Sequence, residues 1–128
     1  MKDQFKGGTQ IWTSRKNNFS SFGNLTLTEE QIQFSTGLST LEIRNEQIIE
    51  LRFYWGFFPR VIVIGQNETG YCYGTIGFYR RKTGRRVYNA IQANGYTITL
   101  ERAKFGWIKA TKEMNLDMEQ YGLKQPSG

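Results

Sequence analysis

Apolar and polar residues alternate with a period of two in short runs through most of the chain. Leu25-Thr26-Leu27-Thr28 and Ile32-Gln33-Phe34-Ser35 each set an apolar face against a polar one. Glu29-Glu30-Gln31 between them is a polar turn, so the two runs predict a hairpin. Leu41-Glu42-Ile43-Arg44 alternates again, and Asn45-Glu46 supplies the next turn. Ile48, Ile49, Leu51 and Phe53 mark a longer strand with one mixed step, and Val61-Ile62-Val63-Ile64 is a β-branched apolar strand. Gln66 to Gly70 has turn composition. Tyr71 to Tyr79 reads as an aromatic-rich strand whose Gly74 and Gly77 predict a bulge. Ile11 and Trp12 suggest an early strand, with residues 1–9 loose before it.

The period then changes. Over 83–95, Val87, Ala90, Ile91 and Asn94 share one helical face, with Thr83 as the N-cap and Gly95 as the residue just past the C-terminus. This is the strongest helix in the chain. Tyr96-Thr97-Ile98-Thr99-Leu100 predicts a further short strand, 111–122 is weakly helical, and Gln125 to Gly128 reads as a frayed tail. The sum is six or seven antiparallel strands followed by one amphipathic helix. A lone amphipathic helix after many strands needs a sheet to bury it.

Residues 23–95 resemble the GRAM and bacterial pleckstrin-homology domains of the PH-like superfamily. Gly23-Asn24-Leu25-Thr26-Leu27-Thr28-Glu29-Glu30-Gln31-Ile32-Gln33-Phe34 is similar to their first hairpin. Leu41-Glu42-Ile43-Arg44, Ile48-Ile49-Glu50-Leu51 and Gly56-Phe57-Phe58-Pro59-Arg60-Val61-Ile62-Val63-Ile64 resemble the strands that follow. Tyr71 to Phe78 and Arg85-Arg86-Val87-Tyr88-Asn89-Ala90-Ile91 resemble the closing strand and helix. The resemblance implies a mainly β fold. Two orthogonal antiparallel sheets would form a partly open barrel, capped by one C-terminal amphipathic helix. Together with the pattern, the resemblance divides the chain into a flexible 1–9, a single domain over 10–100 that ends in the short extra strand, and a partly helical extension with a frayed end over 101–128. It also implies a non-enzymatic binding module.

Composition narrows the chemistry. The chain has 128 residues, 38% hydrophobic and 22% charged, which suits one globular domain. It has no histidine and one cysteine, Cys72, so catalysis through histidine, His-ligated metal and an internal disulfide are excluded. Cys72 lies mid-strand among aromatics, the setting of a core thiol rather than a nucleophile. No phosphate-loop, dinucleotide or calcium-loop spacing occurs, and neither cofactor nor metal is expected. The polar N-terminus, the lone cysteine and the lack of a long apolar run lead to the expectation of a cytoplasmic protein, peripheral at the membrane at most.

Charge supplies the candidate site. The formal net charge is +6, but it is unevenly spread. Residues 29–79 carry three Arg against six Glu, a net −3, whereas 80–100 carry Arg80, Arg81, Lys82, Arg85 and Arg86 with no acid, a net +5. Cations at a helix N-terminus oppose the helix dipole, a conflict that a bound anion relieves. The competing readings are a solvated basic loop, or arginines paired with the acidic residues between 29 and 50. The resemblance does not carry inositide binding with it, because Thr28-Glu29-Glu30-Gln31, the loop that would hold the basic residues, is acidic. A second candidate is the run Phe53-Tyr54-Trp55-Gly56-Phe57-Phe58-Pro59, flanked by Arg52 and Arg60. Trp55, Phe57 and Phe58 are its apolar docking residues, to a protein partner or an anionic lipid surface. The competing reading places the rings in the core. A nucleic-acid reading rests on Tyr71, Tyr73 and Tyr79 as a stacking face beside the basic run.

Overall fold

The computed structural model describes residues 2–123. Eight strands run in chain order as β1 (Asp3–Thr13), β2 (Asn17–Leu27), β3 (Gln31–Ser35), β4 (Thr40–Arg44), β5 (Ile48–Phe57), β6 (Arg60–Asn67), β7 (Gly70–Gly77) and β8 (Thr99–Phe105). Helix α1 (Arg81–Ala93) joins β7 to β8, and α2 (Gly106–Gln120) follows β8. The strands form one sheet in the order β4-β3-β2-β1-β7-β6-β5-β8, mainly β in content and not closed. The two separate antiparallel sheets expected from the sequence are thus one mixed sheet with two helices. Every neighbouring pair is antiparallel except β5 and β8, which run parallel with Arg52 opposite Thr99 and Trp55 opposite Arg102. Parallel neighbours require a crossover, and the segment through α1 provides it.

The sheet folds over itself. A Cβ built on Gly74 of β7 would lie 2.9 Å from Cγ of the Phe34 ring, and one on Gly65 of β6 would lie 2.6 Å from Ile43 Cγ2. These glycines let the β3–β4 arm lie against β6 and β7. Gly74 therefore serves a close approach and not the bulge that sequence suggested. The register of β7 is continuous with both neighbours, and the irregularities fall in β1, between Gly7 and Thr9, and in β5.

Alternation in β3 and β4 buries Ile32, Phe34, Leu41 and Ile43 in an inner core with Phe53, Val61, Val63, Val87 and Ile91. In β6 both faces are covered. Val61 and Val63 point to the inner core, while Ile62 and Ile64 join Trp12, Tyr54, Tyr73, Ala110, Met114 and Met118 in a second core beneath α2. The extension expected at 101–128 is therefore part of the fold over its described residues. The expected frayed tail at 125–128 lies outside the described residues. The looseness expected at 1–9 is also corrected: β1 pairs with β2 from Asp3 onward and with β7 from Gly8 onward, and Thr9, Ile11 and Trp12 are buried.

Helix α1 begins at Arg81, two residues before the expected N-cap Thr83, with Arg80 as an N-cap that makes no side-chain capping bond. It ends as the sequence suggests. Gly95 has φ 88°, its N–H reaches the Gln92 carbonyl (3.0 Å), and Tyr96 N–H reaches the Ile91 carbonyl (3.3 Å). That pair of bonds is a Schellman closure. Leu123 N–H closes α2 the same way on the Met118 carbonyl, 3.0 Å, with Gly122 at φ 68°. Burial of Val87 and Ile91 contributes about 1.5–3 kcal/mol each. Near the N-terminus of α1, Gly84 packs directly on the Pro59 ring. Near the C-terminus, Tyr96 Oη donates to the Thr28 carbonyl (2.7 Å) and Asn94 Nδ2 to Asp3 Oδ2 (3.1 Å). The helix thus spans from the β5–β6 turn to the β2–β3 turn.

Candidate functional site

Strand β5 delivers the aromatic run to the start of α1. Phe53 and Tyr54 are fully buried, one in each core, so part of the run is structural. Trp55 is half-buried, and Phe57 and Phe58 are 47% and 45% exposed. Phe58 turns the chain at φ 55°, a left-handed conformation seldom taken by a bulky side chain, and so splays away from Phe57.

The basic run meets these rings. The Arg81 guanidinium carbon sits 5.3 Å from the Trp55 ring centroid and 5.4 Å from that of Phe57, and that of Arg85 sits 5.6 Å from Trp55. Lys82 shares a cleft of about 330 Å³ with Trp55, Arg81 and Arg85. A guanidinium held over a ring by its face keeps its N–H edges free for an anion. Among the described residues the ion pairs are Arg44–Glu46, Arg52–Glu113, Arg52–Asp117 and Lys109–Glu101, and none involves residues 80–86. The acidic segment 29–50 does not neutralise the cluster.

The cluster is smaller than the sequence suggested. Arg86 points to the other side of α1, over Phe5 at 5.8 Å. Arg80 is exposed and stacks on none of these rings. Phe58 lines a different cleft, with Arg60 and Trp107. The three-tyrosine stacking face expected for nucleic acid is not formed: Tyr71 and Tyr79 are exposed, at 38% and 65%, but Tyr73 between them is buried and Tyr71 packs on Tyr121 at 5.2 Å.

Strand β8 adds residues that sequence reasoning missed. Parallel pairing puts Arg102 opposite Trp55 and Phe105 opposite Phe57, with the two phenyl rings 5.7 Å apart. Arg102 and Arg85 line a second cleft, about 240 Å³, that also contains Trp55. Lys104 Nζ lies 5.8 Å from the Phe105 ring. The run Lys104-Phe105-Gly106-Trp107 has the same basic and aromatic character as the segments it joins. Its location depends on the pairing of β8 with β5, from Arg52 opposite Thr99 to Phe57 opposite Phe105, which local pattern does not encode. Arg81, Lys82, Arg85, Arg102 and Lys104 thus surround or adjoin Trp55, Phe57 and Phe105. Such a face can capture an anion and lower apolar rings against the surface that carries it.

Chemistry elsewhere is held in structural bonds. Under α2, Arg52 Nη1 donates to Tyr54 Oη (2.9 Å) and Glu113 Oε2 (3.1 Å), Arg52 Nη2 donates to Asp117 Oδ2, and Tyr54 Oη donates to Glu113 Oε2. The Arg52 side chain is 12% exposed, and its two carboxylates compensate the buried charge. Burial, then the Glu113 bond, raises the Tyr54 hydroxyl far above its ordinary value. Tyr121 Oη donates to Glu50 Oε2 (2.6 Å), which pushes the Tyr121 hydroxyl up to about 12. Cys72 is 1% exposed, and burial pushes its thiol up to about 11. Among the described residues no group of three His, Cys, Asp or Glu side chains gathers to hold a metal, and no helix is long and apolar enough to cross a membrane. In comparison with known proteins, no family model matches the chain and no curated protein matches it.

Proposed function

We propose that this chain is a non-enzymatic, PH/GRAM-like binding module that docks on anionic membrane surfaces from the cytoplasmic side. The carrying observation is the stacking of Arg81 and Arg85 on Trp55 and Phe57, with no carboxylate within pairing distance among the described residues. Cations with free N–H edges supply electrostatic capture, and exposed rings beside them supply interfacial anchoring; anionic membranes reward the two together. The PH-like part of the reading is supported by the sequence of seven consecutive antiparallel strands and a helix packed into the folded sheet. The loop between the first two strands is Ser14-Arg15-Lys16, which is basic, and not the acidic Thr28–Gln31 expected from the sequence. The carrying cluster is at Arg81 and Arg85, so the proposal is for general anionic headgroups.

The test is sedimentation of the purified protein with vesicles of phosphatidylcholine alone and of phosphatidylcholine with phosphatidylserine, at two salt concentrations. Binding to the acidic vesicles only, weakened by salt, is the expected result. No binding to either composition would overturn the membrane reading. A salt-sensitive shift with a single-stranded oligonucleotide in its place would favour nucleic acid instead.

A further inference from the structure

Arg52 and Arg60 flank the same aromatic run, yet their surroundings differ. Arg52 has two carboxylates. Arg60, at the start of β6, has none within pairing distance among the described residues, and the sequence beyond them, 124–128, contains no acidic side chain. Its Nε is sealed from solvent with no hydrogen-bond partner, and its Nη1 meets only the Met114 thioether, at 3.9 Å. Burial depresses the guanidinium below its ordinary value. Arg60 as a whole is half-buried, but its sealed Nε is a polar atom of the kind almost always paired, and leaving it unpaired is costly.

The place where this cation sits is a cleft of about 440 Å³, within the range of small-molecule sites. Its walls are mostly apolar: Phe19, Phe58, Phe78, Trp107 and Met114 come from β2, the β5–β6 turn, the end of β7 and α2. Gly77 forms the bed of the guanidinium, since a Cβ there would lie 2.9 Å from Arg60 Nη2. Glu113, the carboxylate next to Met114 on α2, is already engaged by Arg52 and Tyr54. The cleft is therefore open and mostly apolar, with one cation in its wall that no carboxylate pairs among the described residues. We infer that it binds an acyl carboxylate, a fatty acid whose carboxylate pairs with Arg60 and whose chain lies among Phe58, Trp107 and Met114. Charge complementarity selects the anion, because a neutral chain leaves Arg60 unpaired and a cationic one is repelled. The site is separate from the Arg81–Trp55 face and does not depend on the membrane reading.

The experiment is lipid-free calorimetric titration of the full chain with sodium decanoate below its micelle concentration, with decanol as the neutral probe and Trp fluorescence as a second signal. Decanoate is expected to bind about ten- to a hundredfold tighter than decanol, the discrimination of one charge-assisted pair. Arg60→Met removes that discrimination while the far-UV circular dichroism spectrum is kept. Thr111→Trp, at an exposed α2 position lining the cleft, fills it and weakens both probes. Arg81→Glu with Arg85→Glu leaves decanoate affinity as it is in the unaltered chain. Equal affinity for decanoate and decanol, no binding of decanoate, or loss of binding in the Arg81/Arg85 variant would each overturn the inference. Undiminished decanoate binding by Thr111→Trp would overturn it even if Arg60→Met failed to fold.

Discussion

Reversing two charges on α1, Arg81→Glu with Arg85→Glu, separates binding from stability. Both arginines are exposed, both stack on Trp55, and neither is paired with a carboxylate among the described residues. A basic side chain close to an anionic membrane contributes about 1 kcal/mol. Removing two such charges and introducing two of the opposite sign costs about 4 kcal/mol of binding, roughly a thousandfold in affinity. Stability moves little. Arg81 opens α1, where an acidic residue gains about 0.3–1 kcal/mol from the helix dipole. The lost ring stacking costs about 0.5–1 kcal/mol per exposed contact. These effects oppose each other, so the melting temperature should shift by only a few degrees. Vesicle sedimentation and a thermal melt on the same preparation read both quantities. The difference in binding should shrink at about 1 M salt, where the screening length falls to roughly 3 Å. Vesicle binding within about threefold of the unaltered protein, with the melt intact, would refute the assignment of the face. A fall of more than about 10 °C in the melt would show the cluster to be structural, since it exceeds what those surface terms supply.

Three further outcomes test the fold beneath that face. Gly84→Ala should destabilise by about 1–3 kcal/mol in urea unfolding despite alanine's higher helix propensity, because the added Cβ overlaps the Pro59 ring; a stabilised variant would mean the helix can lift freely. Removing α2 by ending the chain at Phe105 uncovers Tyr54, Ile62, Ile64 and Tyr73, at about 1.5–3 kcal/mol each. The loss is on the order of a domain's whole stability, so the shortened chain should show no cooperative melt. Cys72 should resist iodoacetamide at pH 8, because its thiol is held up near 11 and ionises only as pH rises through that value. Labelling should therefore follow urea unfolding, and rapid labelling of the folded protein at pH 8 would contradict its burial.

Local pattern was legible wherever neighbours in sequence decide the outcome. The β2–β3 hairpin obeys period-two alternation about a short polar turn, and β4 alternates likewise, so the faces of these strands could be read directly. Gly95 marked the end of α1 because only its left-handed conformation closes the Schellman bonds without strain. The start of α1 was misplaced because Arg80 caps it without a capping side chain. Strand β1 was missed over most of its length because Lys6, Gly7, Gly8 and Thr9 have no apolar alternation. Its place between β2 and β7 comes from the sheet, with Gly7 permitting close contact to Ile76 and Phe78. The second core was not legible either, since the apolar faces of β6 and α2 belong together only after the chain has returned through α1 and β8.

By itself the sequence determined that this is a β-rich chain with a capped amphipathic helix, a basic run at that helix's start, an aromatic run before it, and no histidine chemistry. Those are properties of residue type and short spacing. Tertiary structure decided which of the residues meet. It set Arg81 and Arg85 over Trp55, turned Arg86 and Phe58 elsewhere, and brought Arg102 and Phe105 in through β8. It also gave two arginines eight positions apart opposite surroundings. Arg52 faces Glu113 and Asp117, whereas Arg60 faces a thioether and an apolar cleft. The physical reason is that pairing of a buried charge depends on side chains more than fifty residues away, whose approach is fixed by how α2 packs and not by any pattern local to the arginine.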